Sequence, residues 1–317
     1  MAHLLTSLTL AASSVHAEKA GASGRVGCLE NPKLVQRLAI TKPGVYENYL
    51  VDSQWEGGNR VKITADDVNL RNCEIRNATG NGVGIFGKNV TIENCRIHHM
   101  LAGSIKDQKD AHGITGHWGN TVIRNCEIFY TSGDSVQFDP ERNSVGQALI
   151  EHCTFWTGPL PADAAGFKRG EVPGENAVDT KVRPGDAERC KLTIRDCYFH
   201  GWQPPGAIDM MAALNLKEHI AATVTNCVLA NNQVAFRLRG PGPRGGAQVE
   251  VKDCAIYDGD IGVRMEDKIE NLKITGLAFG AGVKQKYQEA SKGPGPGYVN
   301  EGEHEAPPIA EVIVTSP

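Results

Sequence analysis

Seven short stretches of this chain share one pattern of alternating apolar and polar residues, each ending in a turn residue followed by cysteine. They read VNLRNCEI (Cys73), VTIENCRI (Cys95), TVIRNCEI (Cys126), ALIEHCTF (Cys153), LTIRDCYF (Cys197), ATVTNCVL (Cys227) and VEVKDCAI (Cys254). An eighth copy, LKITGLAF, has Leu277 in the cysteine's place, and successive intervals are 22, 31, 27, 44, 30, 27 and 23 residues. Alternation with period two marks a strand, and Asn-Cys or Asp-Cys marks the turn that closes it. Recurrence at such intervals predicts a solenoid, because no single copy can bury its inner face alone. Rungs this short predict an all-β fold, a single-stranded parallel β-helix stacked at about 4.8 Å per rung.

The cysteines then form an internal Cys/Asn ladder with the turn residues. In-register neighbours point the same way, which disfavours disulfides between them, so seven free buried thiols are expected. Cys28 and Cys190 lie off the ladder and remain a candidate pair.

A second strand set lies between the cysteine strands: GITGH (113–117), SVQFD (135–139), AVDTK (177–181), ALNLK (213–217, preferred over AIDMM at 207–211), AFRLR (235–239) and GVRME (262–266). The second residue of each is apolar and points inward, so the third and fifth point outward. One outward column is Thr115, Gln137, Asp179, Asn215, Arg237, Arg264; the other is His117, Asp139, Lys181, Lys217, Arg239, Glu266. Asp139 beside Lys181 and Arg239 beside Glu266 would suit a solvated face of weak ion pairs. Lys181, Lys217 and Arg239 on successive rungs would also stack like charges about 5 Å apart, lowering the amine pKa values and favouring a polyanion. Asp134, Asp139, Glu175 and Asp179 flank that stripe and are candidates to share Ca²⁺. The loops at 155–178 and 200–212 bring Trp156 and Trp202 toward the lysines as flat faces for sugar rings.

Composition changes the picture little. With 317 residues and a net charge of −4, nothing suggests nucleic acid as partner. The apolar run at 4–12 is too short to span a bilayer. With the small residues up to Ala17 it reads as a signal peptide over 1–17, despite lacking Lys or Arg, and predicts a secreted or periplasmic protein. No membrane partner is expected, and the protein is expected to be a monomer. The remaining boundaries are read as an N-terminal cap and first strands (18–59), the β-helix (60–285) and a loose C-terminal tail (286–317).

Through the rung repeat and the stretches NCEI, GDSVQFD, GENAVDTK and FRLRG, the chain resembles the right-handed parallel β-helix proteins of the pectate-lyase-like superfamily. It is similar more closely to a group of bacterial right-handed β-helix repeat proteins. The resemblance implies a right-handed coil and, from many of the superfamily's members, a lyase that cleaves an acidic, uronate-containing polysaccharide by β-elimination. That chemistry needs a base for the C5 proton and cations for the carboxylate and enolate. An alginate-lyase-like arrangement places Lys217 as base with Arg239 and Arg237 nearby. A pectate-lyase-like one places Lys181 there with Ca²⁺ on Asp134, Asp139 and Asp179. Gln137, Asn215 and His117 are candidates to contact substrate in either case. A glycoside hydrolase or a non-catalytic carbohydrate-binding protein on the same fold stays open.

Overall fold

Each copy of the repeat turns at a residue that tolerates the left-handed backbone region. Asn72, Asn94, Asn125, His152, Asp196, Asn226 and Asp253 have φ between 49° and 56°, and the eighth copy places Gly276 there at 64°. Asn and Asp reach this region at low cost because their short side chains bond locally. The computed structural model describes residues 19–138, 146–181, 188–240, 246–267, 269, 271–290 and 293–314. The expected signal peptide at 1–17 lies outside the described residues.

Each rung contributes one strand to each of three parallel sheets, of eleven, ten and ten strands among the described residues. In the rung of Cys95 these are Arg96–Met100 in the first sheet, Ile114–Gly116 in the second and Thr121–Arg124 in the third. Every pairing within the three sheets is parallel, and all keep register, for example Ile97 with Ile128 and Ile123 with Ile150, except where a bulge between Asp52 and Glu56 shifts Tyr49–Glu56 against Glu74–Ala78. The inward residues fill the coil as files of like side chains, such as Phe155 stacked on Phe199 at 4.9 Å.

The cysteine file is inside, and all nine cysteines are free. Each thiol does more than fill space. Cys126 Sγ donates to the Arg124 carbonyl (3.2 Å), and Cys153 Sγ accepts from the Cys126 amide on the preceding rung (3.4 Å). The same pair of contacts holds Cys153 and Cys197. A thiol is thus a small apolar filler that also satisfies backbone groups at the turn. The amide file runs beside it at the half-exposed corner, where Asn125 Nδ2 donates to Asn94 Oδ1 at 2.7 Å. Cys28 bonds the Tyr49 carbonyl and Cys190 is buried in the main core, so the candidate pair is not formed. A thiol reagent should label no more than Cys28 in native protein, and that slowly, since burial pushes its thiol up to about 11. All nine should react after unfolding without reductant; mass spectrometry showing only seven would reveal a disulfide.

The coil is longer at both ends than the repeat indicated. Lys33–Val35, Leu38–Ile40 and Gly44–Glu47 already form a rung, with Asn48 (φ 61°) and Tyr49 in the Asn-Cys positions. The expected loose tail instead supplies Gln285–Ala290, Val299–Glu301 and His304–Glu305 as a further rung. Ile309–Val312 then forms a short helix on the first sheet, where Ile309 and Val312 pack with Val228, Ala255 and Tyr257.

The N-terminal segment runs along the turn corner as a strap. Gly21 donates to the Asp196 carbonyl (2.8 Å), Ala22 to Thr154 Oγ1 (2.9 Å), Ser23 to Asn125 Oδ1 (2.7 Å) and Gly27 to the Asn94 carbonyl (2.9 Å). Ala20 exchanges backbone bonds with Val312 and Val314, so the strap meets the returning C-terminal segment.

Candidate functional site

The outer face of the second sheet carries the groups with unusual chemistry. Its first outward column lies in register as the alternation predicted: Thr115, Gln137, Asp179, Asn215, Arg237 and Arg264 face one another in turn, and Gln288 extends the series. The fourth rung is Ala212–Leu216, with 207–211 in the preceding loop. In the second column, Arg239 pairs with Glu266, while His117, Lys181 and Lys217 come just after their strands end. Asp139 lies outside the described residues. Gln137, Asp179 and Asn215 point outward yet are buried.

Part of that burial comes from the lysines, which lean back over the preceding rung. Lys181 Nζ donates to Gln137 Oε1 at 3.1 Å, and Lys217 Nζ pairs with Asp179 Oδ1 at 3.1 Å. Side-chain exposure is 15% for Lys217 and 3% for Asp179, so this is a buried ion pair. Thr180 fixes its geometry. The Lys217 amide donates to Thr180 Oγ1 (2.8 Å), and that hydroxyl donates to the Lys217 carbonyl (2.9 Å).

Beside the pair is a pocket of acids. Asp134 is fully buried; its Oδ1 accepts from Asn176 Nδ2 (2.8 Å) and its backbone N–H donates to His112 Nδ1 (3.0 Å). The ring nitrogen that accepts must be unprotonated, which puts the proton of a neutral His112 on Nε2. Burial holds the Asp134 carboxyl well above the usual range, and the Asp179 charge adds to it. Burial also raises Asp179, against the opposing pull of Lys217. Glu175 is raised by burial and by Asp110 and Asp179. Three acceptor oxygens in this region, Asn176 Oδ1, Asn215 Oδ1 and Asp179 Oδ1, are buried without a hydrogen bond of good geometry, the last meeting Lys217 Nζ as an ion pair.

The expectation that stacked amines depress one another is overturned. Burial does pull the Lys181 amine down, but Asp179, Asp134, Asp110 and Glu175 outweigh it and leave the amine raised. The like charges are interleaved with carboxylates, which sequence alignment on one column could not display. The arginines share a single carboxylate instead. Glu266 Oε1 takes Arg237 Nε (3.0 Å) and Arg264 Nε (2.6 Å), and its Oε2 takes Arg239 Nε (3.1 Å). The guanidiniums hold the Glu266 carboxyl below its ordinary value despite burial.

The aromatic expectations need correction. Trp202 is buried in the core beneath its loop, with its backbone N–H on Asn232 Oδ1, and offers no face to a sugar. Trp156 belongs to the first sheet, away from Lys217. Its ring is stacked between Phe129 (4.2 Å) and His200 (6.1 Å), and its Nε1 donates to Glu127. Loop 157–175 packs Leu160 and Phe167 against Leu101 and Tyr130 and lies over that aromatic stack. His117 sits edge-on to Phe86 at 5.3 Å, one rung beyond Gln137. Sequence reasoning missed Asn176 and Thr180, which read only as strand residues; it set Arg239 beside Glu266 but gave no signal that Arg237 and Arg264 join them.

Among the described residues no three His, Cys, Asp or Glu side chains converge as a metal-holding group. Asp134 is bonded to Asn176 and Asp179 to Lys217, so the described residues do not fit a Ca²⁺ cage, and that expectation rests on Asp139. A separate groove of about 570 Å³ on the third sheet is lined by Lys191, Thr193, Thr223, Glu250 and Lys273, whose charged groups are exposed.

Residues 48–158 match the family described as the right-handed β-helix region. The protein is a right-handed parallel β-helix. A comparison with curated proteins finds no match. Among solved structures, the β-helix is similar to the alginate lyase from Paenibacillus sp. str. FPU-7, with 14% identity, TM-score 0.46, and 87% of this chain and 81% of that one covered. It is also similar to the pectate lyase Pel9A, with 11% identity, TM-score 0.45, and 88% and 69% covered.

Proposed function

We propose that this β-helix cleaves an acidic, uronate-containing polysaccharide by β-elimination on the outer face of its second sheet. The observation that carries the reading is the buried Lys217–Asp179 pair, 3.1 Å apart, with the acid raised by burial. A buried ion pair competes poorly with its neutral form, so the shared proton can move to the carboxyl and free the amine lone pair. Lys217 then takes the C5 proton of a uronate. The electron pair left on C5 forms the C4–C5 double bond as the C4–O bond breaks, and the ammonium returns its proton to the leaving oxygen.

Lys181, kept charged by the acids around it, pairs with the uronate carboxylate and stabilises the enolate that develops there. Gln137 and Asn215 flank the pair on neighbouring rungs and supply hydrogen bonds to sugar hydroxyls. The raised carboxyls of Asp134 and Glu175 favour hydrolysis as the second reading, since a general acid needs such a shift.

Incubation with pectate, alginate and glycosaminoglycans, with and without calcium, separates the two. Elimination should give products with the ultraviolet absorbance of the new double bond. New reducing ends without that absorbance would replace elimination by hydrolysis, and neither signal from any polyuronate would overturn both.

A further inference from the structure

The arginine cluster beyond Lys217 has more positive charge than its fold requires. Arg237, Arg239 and Arg264 all turn their Nε groups to a single carboxylate, Glu266. Arg264 spends a further donor on Gln288. The Nη groups of Arg237 and Arg239 take no partner among the described residues. Among the described residues, three guanidiniums on one carboxylate leave two positive charges without an acidic partner, at side-chain exposures of 19–37%. A side-on contact through Nε leaves the end of a guanidinium free for a bidentate contact with a planar or tetrahedral oxyanion. An ion-pair ladder built only for stability would alternate its signs, as Glu151 does between Arg124 and Arg195 on the third sheet.

The register fixes where this charge lies. Leu216 faces Leu238, so Lys217 is followed by Arg239 on the next rung and by Glu266 on the one after. At about 4.8 Å per rung, the cluster begins roughly 5–10 Å along the axis from Lys217. That spacing is close to one or two hexopyranose units.

We propose that Arg237, Arg239 and Arg264 form an anion subsite that receives the acidic group of a sugar one or two residues from the one over Lys217. The polymer accordingly lies along the solenoid axis, one sugar per rung, with Glu266 holding the three guanidiniums in place. This rests on the polysaccharide reading, but requires only binding, not elimination.

Titration of wild type with carboxylated, sulfated and neutral oligosaccharides of equal length tests it. Arg264→Gln should weaken binding of an acidic oligosaccharide about tenfold, the loss of one charge-assisted contact. It should leave the neutral one unchanged and make the salt dependence shallower. Arg264→Lys, which keeps the charge and spares the fold, should fall between the two. Loss with the carboxylated or the sulfated ligand identifies the group received. Unsaturated product with unchanged affinity in Arg264→Gln would overturn the subsite and leave elimination standing. Weakened affinity without unsaturated product from wild type would do the reverse. Wild type that binds no acidic oligosaccharide better than the neutral one would overturn the subsite as well.

Discussion

Replacing Lys217 by methionine should lower turnover by about 10²–10⁴-fold, the usual worth of a positioned base. It should also destabilise the fold by about 1–3 kcal/mol, because Asp179 is left buried without its cation. The double variant Lys217→Met/Asp179→Asn should recover most of that stability and none of the activity, since a neutral amide needs no counter-charge. Denaturant titration and the product absorbance assay read the two effects separately. Full turnover in Lys217→Met would remove this lysine from the chemistry. A double variant as unstable as the single one would mean that the pair is not what makes the substitution costly.

Asp134→Asn should stabilise the protein at neutral pH by about 1–3 kcal/mol, the cost of an uncompensated buried group. The sign follows from proton linkage. The Asp134 carboxyl lies well above its ordinary value of 3.8 in the fold, so between those values the folded state binds more protons than the unfolded one. Stability attributable to this residue therefore falls as pH rises from about 4, and is unaffected below that, where both states are protonated. The amide keeps an oxygen for Asn176 and does not ionise. Carboxyls held low, such as Glu74 at about 2, act in the opposite sense, so the informative quantity is the difference between wild type and variant. That difference, from thermal unfolding across pH, should vanish near pH 3 and widen toward neutrality. A constant difference would mean that Asp134 titrates in the fold as it does in the unfolded chain.

Much of the fold was legible because both of its periods are local. Alternation assigned the inward and outward faces, and the turn residue before each cysteine announced a left-handed corner. Together they placed Gln137, Asp179, Asn215, Arg237 and Arg264 in one column, as the register has them. The last rung escaped notice because a Gly/Pro-rich segment supplies it, while at the other end, where first strands were expected within 18–59, Tyr49 in the cysteine's place hid the repeat itself. The candidate site was read less well. Its columns were drawn as if side chains stood straight out, whereas Lys181 and Lys217 lean over the rung before them and meet Gln137 and Asp179. That displacement gives each amine of a supposed repelling stripe its own partner, an amide for Lys181 and a carboxylate for Lys217. Trp156 and Trp202 were misplaced because loop packing joins residues far apart in the chain, which no local pattern encodes.

The strap at the turn corner changes how this solenoid can come apart. A stack of rungs in contact only with their neighbours is quasi-one-dimensional, and it frays from its ends as the outermost rung peels away. Here one segment is anchored in turn at Asn94, Asn125, Thr154 and Asp196, and Ala20 joins it to Val312 and Val314 at the returning terminus. Detaching the last rungs pulls on a tether that crosses the middle of the stack. Local opening is thereby made collective, so a coil with no disulfide among its nine cysteines gains the all-or-none character of a globular domain.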